Sequence, residues 1–143
     1  MTLPPGIPAG LAAGTLSLLA LALRGRLETG SAVRPLNAPS HWLWGDRALR
    51  ETAWSLRYTG VGFAIHQLSA VLWGCIHARR ERPSAPLAEA AVTTAVAVVT
   101  DLALTPRRLT PGFERHLSPR GLVWVYGAFA LGLALAARRS RRP

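Results

Sequence analysis

Two ionisable side chains stand inside long apolar runs of this chain. His66 is central in "YTGVGFAIHQLSAVLWGCIHA", and Asp101 lies near the end of "APLAEAAVTTAVAVVTDLAL". An imidazole or a carboxylate in hydrocarbon needs a partner, so such groups hold protons, bind ligands or tie helices together. With both runs helical, His66 lies about 12 Å below Tyr58, and its depth differs from that of Asp101 by about two turns. The expected intramembrane site is therefore His66 with Asp101, accompanied by Thr59, Ser69 and Thr94. Thr59, Gly62, His66, Ala70, Trp73 and His77 recur at helical spacing and make one stripe. Small, polar and aromatic residues favour protein over lipid, so that stripe faces the bundle. Two readings stay open: interhelical hydrogen-bond glue with Asp101 reaching to water, or a proton or ligand site. His77, beside Arg79 and Arg80, reads as an interfacial group.

His41, Glu114 and His116 lie in segments on the same side as Asp101 and are candidates for the lining of a polar vestibule. No His-x-x-x-His or Cys-x-x-Cys spacing supports a metal there, and none is expected. Membrane-bound haem needs axial His from facing helices, but only the second run contains His, so no cofactor is expected. The first run has no acid, unlike that of four-helix small multidrug exporters. There is no Gly-x-Ser-x-Gly elbow, no phosphate-binding loop and no catalytic carboxylate pair, which argues against an enzyme.

The elements that must position these groups follow from composition. The chain has 143 residues, half of them hydrophobic, yet carries a formal net charge of +10. All 17 basic residues are Arg, a mark of a GC-rich bacterial genome, and they cluster between uncharged blocks. That is the pattern of a multispanning membrane protein. Nucleic-acid binding would need a contiguous basic face, for which the apolar blocks leave no room. The single Cys75 excludes an intrachain disulfide. The expected fold is one all-α membrane domain over 1–143, a four-helix bundle with spans at about 7–23, 58–78, 85–104 and 121–137. The first block is short for a span, and Pro4, Pro5 and Pro8 confine its start. It lacks a basic leader and a small-residue cleavage site, so it is expected to stay in the membrane. Ser118-Pro119 supplies an N-cap and a first-turn Pro for the last span. "LTPRRLTPGFE" ends the third span in a Pro-braced connection, and "RRERPSAP" makes a short turn after the second.

Between the first two spans, "NAPSHWLWGDRALRETAWSLRYTG" holds three of the five Trp. Leu43, Leu49, Ala53 and Leu56 suit a short amphipathic helix lying at the interface. Trp42, Trp44, Trp54 and Tyr58 would then be anchors at headgroup depth, or a lid over the bundle. Gly6, Gly10, Gly14 and Ser17, and again Ala128, Gly132 and Ala136, form small-residue faces for close helix approach, within the bundle or in a homodimer. The positive-inside rule is split: the first and third connections hold more Arg in total, but "HARRER" and "RRSRR" are denser, abut helix ends and carry little acid, so cytoplasmic termini are the expectation.

His66 in the second span, the Leu-Thr-Pro turn, and the final span "GLVWVYGAFALGLAL" together resemble YagU-type small bacterial inner-membrane proteins over roughly the second half of the chain. The resemblance implies an inner-membrane location and a link to acid survival, with no enzymatic activity. The leading expectation is a non-enzymatic structural or accessory component of the lipid bilayer, associating with itself or a larger membrane partner. The alternative is a proton-linked small transporter or channel using His66 and Asp101.

Overall fold

The computed structural model describes residues 3–80 and 85–139, and these are all-helical. Four helices are long and apolar enough to cross a membrane: α1 (Gly6–Thr29), α2 (Leu56–Arg80), α3 (Pro86–Leu104) and α4 (Pro119–Arg139). The turn "RRERPSAP" and the terminal "RRSRR" fall largely outside the described residues.

The first helix is not short. It continues through Arg24 and Glu28 to reach 24 residues, because those two charges pair one turn apart, Arg24 Nε donating to Glu28 Oε1 at 2.8 Å. Gly30 then ends the helix in the left-handed region at φ 75°. Glu28 also reaches across to α4, where its Oε2 accepts the Ser118 backbone N–H at 2.5 Å. A carboxylate at a helix N-terminus complements the helix dipole. Ser118 in turn caps α4, its Oγ accepting the Gly121 N–H at 3.1 Å.

Helix α1 is central and packs along both α2 and α4, while α3 rests mainly on α4. The small-residue faces are consumed in these contacts. A Cβ on Gly74 would run into the backbone of Gly6 and Gly10, and one on Gly132 would meet Ala13. Both spacings therefore serve close approach within the chain. Helices α2 and α3 touch much less. They are joined at one end by His77, only 1% exposed, whose Nδ1 lies 3.0 Å from the Thr93 hydroxyl. Thr93 donates its proton to the Glu89 carbonyl at 3.0 Å, so it accepts from His77. His77 thus packs inside the bundle, in the last turn of α2 beside Arg79 and Arg80.

The expected amphipathic helix between the first two spans is not formed either. The chain makes short turns over Arg34–Asn37, Ala38–Ser40, His41–Trp44 and Asp46–Arg50, with Gly45 at φ 62° between the last two. Buried Asn37 is the cause. Its amide donates to the carbonyls of Glu51 and Ala53 at 3.0 and 3.1 Å, and its Oδ1 accepts the Thr59 hydroxyl at 2.6 Å. A straight helix could not bring these residues back to Asn37. The segment between α3 and α4 docks on this one: the Thr110 carbonyl accepts from His41 Nε2 at 2.7 Å and from Trp42 Nε1 at 2.8 Å. Gly112, at φ 87°, passes so close to Ala38 and His41 that no side chain fits. The two connections thus form one cap over the same end of the bundle.

Candidate functional site

Beneath that cap, on the side where α2 and α3 touch least, is a cavity of about 290 Å³. Ser17 of α1, His66 and Ser69 of α2, Asp101 of α3 and Tyr126 of α4 all face it, with Trp42 and Phe113 contributed by the cap. Leu72 of α2 and Leu109 of the cap both line it and are 60% and 46% exposed, so its wall reaches the surface at the side of the bundle and at the cap.

His66 Nε2 lies 2.9 Å from Ser17 Oγ, and that hydroxyl donates to the Gly14 carbonyl at 3.1 Å. Ser17 has one proton and has placed it on Gly14, so it accepts from His66. This selects the Nε2–H tautomer and leaves the ring's lone pair on Nδ1. Asp101 sits in a widened turn, Thr100–Leu104, where the Thr105 N–H reaches back five residues to the Thr100 carbonyl at 2.9 Å. Such turns recur at functional sites because they re-aim a side chain. Asp101 Oδ2 accepts the Tyr126 hydroxyl at 2.9 Å. Phe113 stands between the two polar groups, its ring centroid 6.2 Å from that of His66 and 6.3 Å from that of Tyr126.

The direct His66–Asp101 partnership is therefore corrected: each has its own hydrogen-bond partner, and they share a cavity instead. Ser69 joins them on the wall. Thr59 does not, being held by Asn37. Thr94 lies on the far side of Tyr126, in a groove between α3 and α4, with a buried hydroxyl that has no partner among the described residues.

Nor do His41, Glu114 and His116 form a vestibule on this cavity. His41 is buried and locked to Thr110. Glu114 and His116 lie in the segment between α3 and α4, near Arg34 of the segment between α1 and α2; Arg34 Nε, Glu114 Oε2 and His116 Nε2 are buried without hydrogen bonds among the described residues. Burial holds the His116 pKa below its ordinary value, helped by Arg34 and Arg115 and opposed by Glu114. Among the described residues no three His, Cys, Asp or Glu side chains come together to hold a metal ion.

The four aromatic residues expected as anchors divide. Trp54 is 71% exposed and Trp44 37% exposed, the latter with the Arg57 guanidinium 4.4 Å over its ring. Trp42 is half-buried on the cavity wall, and Tyr58 is buried at 7% exposure and so packs inside the protein. Tyr126 and Phe113 are the site residues the sequence reading missed. Tyr126 carried a signal, as the one residue with an ionisable hydroxyl in an otherwise uncharged span; Phe113 carried none.

Comparison with known proteins finds no matching family model, no matching curated protein and no matching solved structure.

Proposed function

We propose that this is a four-span protein of the bacterial inner membrane, with cytoplasmic termini, that binds a small molecule between its helices and moves it in exchange for protons. The observation that carries the reading is the cavity, walled by all four helices, with one hydrogen-bond partner supplied to each of His66 and Asp101 and a second acceptor atom left on each. A purely structural bundle has no need of such an opening, since interiors normally close to crystal-like density. The outer surface supports the membrane setting: Leu19, Leu23, Leu68, Val99, Val123 and Trp124 are all more than half exposed, an apolar area that water would not tolerate on a monomer. The YagU-type resemblance and the Arg clusters support the same location and orientation. Self-association through the small-residue faces has less support, because those faces are occupied inside the chain.

The test is cysteine labelling. In a Cys75→Ala background, Ser69→Cys in membrane vesicles should react with a small charged methanethiosulfonate, and Leu19→Cys on the lipid face should not. An unreactive Ser69→Cys means a cavity closed in the membrane, and the reading fails. Proteoliposomes should also dissipate an imposed pH gradient when a transported solute is supplied on the opposite side, and Asp101→Asn should slow this. Reporter fusions after Arg80 and Arg142 should read cytoplasm, and those after Arg50 and Arg108 the opposite side.

A further inference from the structure

We infer that the cavity takes a small lipophilic organic cation, an amine or quaternary ammonium about the size of one substituted aromatic ring, with Asp101 as its counter-ion. This rests on the reading of the cavity as a binding site. The walls supply the argument. Trp42, Trp73, Phe113, Tyr126 and Phe129 all line the cavity, half of the chain's ten aromatic residues, five Trp, two Tyr and three Phe. In a chain with 17 Arg, none lines it, and Asp101 is its only acid. Aromatic faces attract cations most strongly where water is excluded. A carboxylate among such walls is costly without a counter-charge, and among the described residues no basic side chain forms an ion pair with Asp101. The ligand supplies that charge.

The hydrogen-bonding groups exclude the other ligand classes. An anion would meet a carboxylate and no cation. A hydroxyl-rich solute would find few partners, because Ser17 is engaged with Gly14 and His66, Thr100 with the Val96 carbonyl and Thr105 with the Thr100 carbonyl. His66 Nδ1, carrying a lone pair, suits an ammonium N–H. The volume is at the small end of the range for ligand sites. Where the wall reaches the side of the bundle at Leu72, 60% exposed, a lipophilic cation can enter from the bilayer.

The test uses the full chain in nanodiscs, with protection of Ser69→Cys from labelling as the readout. Phenyltrimethylammonium is the probe, tert-butylbenzene its uncharged isostere and benzenesulfonate its anionic counterpart. Phenyltrimethylammonium should protect saturably and about tenfold more tightly than tert-butylbenzene, while benzenesulfonate gives no protection. Asp101→Asn should weaken the cation about tenfold and leave tert-butylbenzene unchanged. Trp73→Leu should weaken it several-fold, and serves alone if circular dichroism shows Asp101→Asn unfolded. Equal protection by the cation and its isostere, tighter binding of the sulfonate, or no protection by any probe would overturn the inference while Ser69→Cys still labels and the cavity reading stands. Loss of the labelling itself overturns both.

Discussion

The Tyr126 hydroxyl donates to the Asp101 carboxylate at 2.9 Å, joining the middle of α4 to the widened last turn of α3. Tyr126 lines both the central cavity and the outer α3–α4 groove, so this one bond also fixes the wall between them. Tyr126→Phe removes the donor and leaves the carboxylate with water or ligand only. It should destabilise the detergent-solubilised protein by about 1–2 kcal/mol. In a cycle with Asp101→Ala the coupling should be about 1 kcal/mol, within the range of interhelical polar pairs in membranes. Strict additivity in thermal unfolding would mean that the hydroxyl and the carboxylate do not act together.

His66 should couple to Ser17 more strongly than to Asp101. Ser17→Ala and His66→Leu remove opposite ends of one hydrogen bond, so the double variant should lose less than the sum by about 0.6 kcal/mol. His66→Leu with Asp101→Ala should couple less than His66→Leu with Ser17→Ala, because the two form no direct bond and meet only through the shared cavity and Phe113. A larger His66–Asp101 coupling would place a direct bond between them after all.

Two glycines give opposite expectations. Gly74 lies against the backbone of Gly6 and Gly10, whereas nothing stands within 4 Å of a Cβ on Gly127. Gly74→Ala should cost about 1–3 kcal/mol through forced separation of α1 and α2. Gly127→Ala should gain about 0.5–1 kcal/mol from helix propensity. Chemical denaturation in mixed micelles reads both, and a loss at Gly127 would point to an unrecognised neighbour.

His116 makes stability depend on pH. Its folded pKa is below the ordinary value of 6.5, so the unfolded chain binds a proton that the folded chain does not. The stabilisation is present above the ordinary pKa, falls as the pH drops below it, and levels off once folded His116 protonates. Melting temperatures measured between pH 7.5 and 5 should therefore fall for the natural chain. His116→Gln should flatten that part of the curve; an unchanged slope would remove His116 from the account.

Fluorescence should separate the Trp residues. With each of Trp42 and Trp54 as the sole Trp, lipids brominated near the headgroups should quench Trp54 strongly and Trp42 weakly, in line with the exposure of the one and the capped position of the other. Equal quenching would mean that the cap opens in lipid.

Four apolar blocks separated by Arg clusters were enough to announce four long helices, because hydrophobic length and helix caps are local properties. The Ser118 cap and the glycine spacings were equally local, and so were legible. The end of α1 was not, because Arg24 and Glu28 look like a helix stop until they are seen to pair with each other. Nor was the cap: its shape depends on Asn37 closing bonds to Glu51, Ala53 and Thr59, and on Thr110 receiving both His41 and Trp42 from a segment far along the chain. His66 and Asp101 could be picked out by their cost in an apolar run. Their partners could not, because depth and face narrow the choice while only the packing of all four helices decides which hydroxyl comes within reach. That packing gave His66 to Ser17 and Asp101 to Tyr126, and left between them a space that no single helix contains.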